Sequence, residues 1–102
     1  MYDNEVCIDG YVCKKPVIRT TPSGKQIADI LIACNYGKDK TAYVPTITWG
    51  KCARKSGKFE IGTHVRISGR LQSRNYEKII NDVVCNKVAY ELSTTSIEEV
   101  VD

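Results

Sequence analysis

The sequence has no C-x-x-C pair and only one histidine, and it lacks any run of about 18 or more apolar residues. The first two absences argue against a zinc site. Five cysteines (Cys7, Cys13, Cys34, Cys52, Cys85) are an odd number with no paired spacing, so a disulfide framework is not expected either. Cys7, Cys34 and Cys85 lie inside apolar runs, where a reduced thiol behaves as a small hydrophobe. The third absence removes a membrane-spanning helix. The N-terminus lacks the basic and then apolar regions of a signal peptide, so a cytoplasmic location is expected. Catalytic patterns are missing too. His64 has no motif partner, the serines lie in turns without a nucleophile elbow, and Ser23-Gly24-Lys25 lacks the spacing of a phosphate-binding loop. Asp9, Asp29 and Asp82 form no recognisable carboxylate motif. No enzyme, cofactor or metal is expected.

What is present fits one small globular domain. The 102 residues suffice for one core and are too few for two ordinary ones. A net charge of +3 permits a polyanionic partner without demanding one, and its distribution says more. Between Lys51 and Arg74 stand Lys51, Arg54, Lys55, Lys58, Arg66, Arg70 and Arg74 against Glu60 alone. The last ten residues hold Glu98, Glu99 and Asp102 and no base. Solvated strand and helix faces would show the same charges.

Punctuation along the chain points to short strands. A first spans about Asn4 to Cys13, with Gly10 as a bend or bulge. Val17 to Arg19 leads into the turn Thr20-Thr21-Pro22-Ser23-Gly24. A second strand, Lys25 to Tyr36, contains the apolar IADILIAC. A third, Ala42 to Trp49, carries Pro45, which argues for an edge or an irregularity. Gly50 to Ser56 is the one plausible helix, stopped by Gly57, with Phe59 and Ile61 tucked beneath it. A fourth strand, Thr63 to Tyr76, alternates cleanly. Val65, Ile67, Gly69 and Leu71 face one way; Arg66, Ser68, Arg70, Gln72, Arg74 and Tyr76 face the other. A turn at Glu77-Lys78 leads to a fifth strand, Lys78 to Leu92. Residues 1–92 thus form the domain, and 93–102 read as a flexible tail. Five strands with one helix between the third and fourth is the connectivity of the OB-fold, a Greek-key barrel that binds oligonucleotides and oligosaccharides.

Aromatic rings interleaved with Arg and Lys on extended backbone suit unpaired nucleic acid: bases stack on rings and phosphates pair with cations. Tyr76 follows the arginine face of its strand. Arg66, Arg70 and Arg74 recur ~13 Å apart, close enough to track a backbone. Trp49 is ambiguous. Strict alternation puts Tyr43, Pro45, Ile47 and Trp49 on one face and Val44, Thr46 and Thr48 on the other, so the aromatic face could equally be core. Tyr36, beside Gly37, reads equally as loop surface. Tyr2, Tyr11 and Tyr90 are taken as structural or interface residues.

Six segments in order resemble the bacterial single-stranded DNA-binding proteins. They are Asn4-Glu5-Val6-Cys7-Ile8-Asp9-Gly10; Arg19 with Pro22-Ser23-Gly24; Ile27 to Ala33; Trp49-Gly50-Lys51 with Ala53; Gly62-Thr63-His64-Val65 to Tyr76; and Val83-Val84. The resemblance implies an OB-fold that binds single-stranded DNA with little sequence preference and assembles into oligomers, usually tetramers. It places the stacking aromatics at Tyr43, Trp49, Tyr76 and, more loosely, Tyr36, and the phosphate partners at Arg19, Lys51, Arg70 and Arg74. Four such cations give a logarithmic salt slope near ~−3. Three departures stand out: a short loop after the second strand, a hairpin cut to about Glu77-Lys78, and no Gly/Pro/Gln-rich linker with an acidic tip. A short family member and a truncated chain both fit, and recruitment of replication enzymes is doubtful.

Coating of single-stranded DNA in replication, recombination or repair is therefore the leading expectation. An RNA-binding OB module, and a primosome or conjugation adaptor that uses the fold for protein contacts, are the alternatives. The first strand, apolar at Val6, Ile8 and Gly10, is a candidate edge for pairing with a second copy, so at least a dimer is expected.

Overall fold

A computed structural model describes residues 3–101. Met1, Tyr2 and Asp102 lie outside the described residues, and with them the role expected of Tyr2. The elements run β1 (Val6–Val12), β2 (Val17–Thr20), β3 (Gln26–Gly37), β4 (Lys40–Trp49), α1 (Gly50–Ser56), β5 (His64–Ile80) and β6 (Val83–Glu99). The sheet order is β1-β5-β6-β4-β3-β2, and β1 also pairs β3 at Tyr11↔Ala33 and Val12↔Ile32. That second pairing closes five strands into a barrel and leaves β2 as an outrigger on β3.

Alternation fills the interior. Ala28, Ile30 and Ile32 of β3 point inward beside Val12, Val65, Ile67, Leu92 and Ile97, all buried. Seven residues cannot hold a helix alone, so α1 is secured by packing. Ala53 is fully buried in the core, and Ser56 Oγ lies 2.8 Å from Thr48 Oγ1 inside it. Gly57 ends α1 where the sequence placed its stop, in an ordinary right-handed conformation. Its lack of a side chain matters for another reason: a Cβ there would stand 2.2 Å from Ile18 Cδ1. Gly10 likewise marks a close approach and no bend, since its Cβ would meet Ala33 O at 2.6 Å. Phe59 packs on the core, but Ile61 is exposed.

Three expectations about the strands change. Val17–Thr20 is a strand in its own right, paired with β3 from Val17↔Asp29 to Thr20↔Gln26. The turn after β5 is not at Glu77-Lys78. The ladder continues to Ile80↔Val83, and the chain reverses at Asn81 and Asp82, whose φ values of 51° and 63° are those of a type I′ hairpin. Beyond Leu71 and Leu92 the two strands have no third neighbour among the described residues. They form a ribbon about 30 Å long, so the shortened hairpin is corrected to a long arm. Val83 and Val84 sit at its tip, exposed, and not on the barrel.

The third change concerns the tail. Ser93 to Glu99 is not frayed but is the second half of β6, paired with β5 up to Val65↔Glu99 and with β4 in parallel at Thr46↔Leu92 and Ile47↔Ser93. Its small hydroxyl side chains suit a tight seam. A β-bulge falls between Ser68 and Gly69, and a Cβ on Gly69 would lie 2.1 Å from Ser93 O.

The cysteines are all free, and none is fully buried. Cys7 faces outward from β1 and lies 3.3 Å from Ser68 Oγ.

Candidate nucleic-acid interface

Residues directly opposite in a ladder share a face, so the register maps the outer surface. One row reads Arg19, Ile27, Trp49 across β2, β3 and β4. The next reads Val17, Asp29, Ile47, Ser93, Arg70 across β2, β3, β4, β6 and β5. Along β4 the same face carries Pro45 and Tyr43, and along β5 it carries Gln72, Arg74 and Tyr76. Trp49, Tyr43, Tyr76, Arg19, Arg70 and Arg74 therefore share the face of the sheet turned away from the core, on which Ile27, Ile47 and Ser93 between them are themselves covered.

The ambiguity over Trp49 resolves toward solvent. Thr46 and Thr48 are the buried face of β4, whereas Tyr43 is 64% and Trp49 41% exposed. Buried threonines at the seam hid the parity from a reading based on hydrophobicity. Pro45 stands where β4 has β3 on one side and no described strand on the other, the edge position expected.

Trp49 is held in place. Its Nε1 donates to Ser93 Oγ at 3.3 Å. Gly50, at φ 54°, turns the chain sharply out of β4 immediately afterwards, a conformation that favours glycine. Beneath it opens a groove of about 860 Å3, lined by Thr20, Lys25, Gln26, Trp49, Arg54, Arg70, Ser93 and Thr94 among others. Lys25 and Arg54 were not singled out from sequence. Lys25 follows a turn just before β3 and Arg54 lies within α1, and the Ile27↔Trp49 pairing and the path of α1 out of β4 bring both to the groove. Arg54 Nη1 donates to Gln26 Oε1 at 3.4 Å. Thr94 Oγ1, buried in the groove wall, has no hydrogen-bond partner among the described residues.

The cations are not equivalent. Arg19 Nε donates to Asp29 Oδ2 at 2.7 Å, and that bond raises the Arg19 pKa further. Arg74 Nε donates to Glu91 Oε2 at 3.3 Å, and its guanidinium carbon lies 5.7 Å from the Tyr76 ring centre. Arg70 has no ion-pair partner among the described residues. Lys51 is exposed on α1 but lines a separate, smaller groove with Lys55, Thr95 and Glu98. Tyr36 is 68% exposed but has the inward parity of β3, next to the irregularity between Asn35 and Gly37. Alternation does not bring it onto the Trp49 face.

Arg66 is engaged elsewhere, with Nη2 3.0 Å from Asp9 Oδ2. His64 donates from Nε2 to the same carboxylate and stacks on Tyr11, ring centres 4.7 Å apart. The Arg66 hydrogen bond is the main influence holding Asp9 below the ordinary carboxylate pKa.

A closed five-stranded barrel with one helix between β4 and β5 is an OB-fold. The chain belongs to the Single-strand binding protein family, whose model matches residues 3–98. It is similar to the single-stranded DNA-binding protein of Clostridium tetani, at 28% identity over 85% of this chain and 69% of that protein. Single-stranded DNA-binding protein 1 of Staphylococcus aureus is 30% identical over 85% of this chain and 60% of its own length. The chain thus spans well short of the full length of these relatives. In three dimensions it resembles the single-stranded DNA-binding protein from Thermus aquaticus. The TM-score is 0.79 at 18% identity, covering 97% of this chain and 41% of that one, which supports the fold.

Proposed function

We propose that this protein binds single-stranded DNA with little sequence preference and shields it during replication, recombination or repair. The observation that carries the reading is the shared outward face of Trp49, Tyr43, Tyr76 and Arg70, fixed by ladder register. Every base has a π-face, so rings bind any sequence, and neighbouring cations follow the phosphates. Trp49, Tyr43 and Tyr76 stack bases; Arg70, Lys25 and Arg54 meet phosphates around the groove, and Lys51 extends the path onto α1. Tyr36 contributes only if the strand wraps past the β3–β4 hairpin. No covalent chemistry is part of this activity, which belongs in the cytoplasm with the nucleoid.

Titration of oligothymidylate against the single tryptophan tests it. Quenching of Trp49 that weakens with added salt supports the reading. An oligouridylate that binds equally or better favours an RNA role. Affinity untouched by Trp49→Ala and Tyr76→Ala together favours the adaptor.

Assembly into at least a dimer completes the proposal. Beyond Tyr11 and Val12, β1 pairs only β5 among the described residues, so from Val6 to Gly10 one edge is open to a second chain. Linked copies would raise the avidity of small sites. Sedimentation at micromolar concentration distinguishes a monomer from a dimer or tetramer.

A further inference from the structure

Glu91 sits on the same outward face, directly opposite Gln72 in the β5–β6 ladder, where a polyanion would approach. A carboxylate there ought to oppose binding, yet its side chain is only 6% exposed. It accepts from Gln72 Nε2 at 3.0 Å and from Arg74 Nε at 3.3 Å, while Arg74 is itself 55% exposed and lies over Tyr76. Arg70, four residues earlier on the same strand face, has no carboxylate partner among the described residues.

We propose that Glu91 sorts these arginines into two roles: it withholds Arg74 from phosphate and fixes it as a wing of the Tyr76 stacking platform, leaving Arg70 to neutralise phosphate. This rests on the single-strand binding reading above. The physical reason is asymmetric burial. A phosphate that drew Arg74 Nε off Glu91 would leave a nearly buried carboxylate with one neutral donor, and one held by the outer guanidinium nitrogens would sit beside a second negative charge. Arg70 leaves nothing behind when it turns to phosphate. Glu91 touches no DNA in this scheme; it is a positioning residue. Of the four cations that suggested a slope near ~−3, Arg74 then releases no counterion.

The test is the salt dependence of oligothymidylate binding by the full chain, read from Trp49 fluorescence over a range of sodium chloride. Arg70→Ala should flatten the logarithmic slope by ~0.7, the loss of one phosphate contact on a single strand. Arg74→Ala together with Glu91→Gln, which leaves no carboxylate stranded on the face, should weaken binding equally at every salt concentration and leave the slope unchanged. Glu91→Gln keeps shape and an acceptor for Gln72 but frees the arginine, so the slope should steepen by ~0.7. Adding Arg74→Ala to Glu91→Gln should restore the wild-type slope. A slope flattened by the double variant as much as by Arg70→Ala overturns the proposal, as does one unmoved by Glu91→Gln. Where a change at Glu91 prevents folding, a slope unmoved by Arg70→Ala overturns the proposal by itself. Failure of the wild-type chain to bind any oligothymidylate overturns the parent reading and this proposal with it.

Discussion

Removal of the Trp49 ring is the most direct test of the proposed surface. The indole is 41% exposed and hydrogen-bonded to Ser93, so it meets a ligand with little rotamer freedom left to lose. One base stacked on an aromatic ring is worth ~1–3 kcal/mol by alanine substitution. At tenfold per ~1.4 kcal/mol, Trp49→Ala should raise the dissociation constant for oligothymidylate by roughly 5- to 150-fold. Trp49→Phe keeps a π-face and loses the bond to Ser93, so its effect should fall below that of alanine. Because the alanine variant has no tryptophan, anisotropy of a labelled oligonucleotide is the assay, with circular dichroism as the check on fold. A loss below about twofold, ~0.4 kcal/mol, in a folded Trp49→Ala protein would refute stacking at this site.

Gly69→Ala should destabilise the fold by ~1–3 kcal/mol or more in urea, because the added Cβ meets backbone and cannot be relieved by a side-chain rotation. Gly50→Ala forces a left-handed alanine and should cost ~1–2 kcal/mol, with a shifted Trp49 emission maximum reporting the disturbed exit from β4. Asp9, held low by Arg66 and then by His64, contributes stability that is complete above the ordinary carboxylate pKa of 3.8 and is lost as pH falls through its lower folded value. Asp9→Asn should therefore remove part of the acid limb of a stability–pH curve. Identical acid limbs in the two proteins would contradict that.

Much of the barrel was legible because its signals are local. β3 and the first half of β5 alternate cleanly, and Thr21-Pro22-Ser23-Gly24 marks a real turn. Misreadings occurred where a strand is buried or exposed on both sides. Along the arm, from Ser73 to Lys78, no core imposes alternation, so polar residues resembled a turn and hid the Asn81-Asp82 reversal. From Ser93 onward, the hydroxyls that pack a tight seam resembled a tail. Site residues divide the same way. Tyr76, Arg70 and Arg74 follow from one strand's periodicity. The tying of Arg19 to Asp29 and of Arg74 to Glu91, and the meeting of Lys25 and Arg54 at the groove, depend on hairpin register and on the path of α1, which alternation within one strand does not give.

The arm divides the proposed surface mechanically. Trp49 and Arg70 inherit the cooperativity of a closed barrel, whereas Tyr76 belongs to a two-stranded ribbon, a unit marginal on its own in water. Amide protons near Tyr76 should accordingly exchange far sooner than those of Val65 or Ile67. One ring is then a fixed anvil and the other a compliant finger, able to follow a polymer whose bases do not stand at fixed intervals.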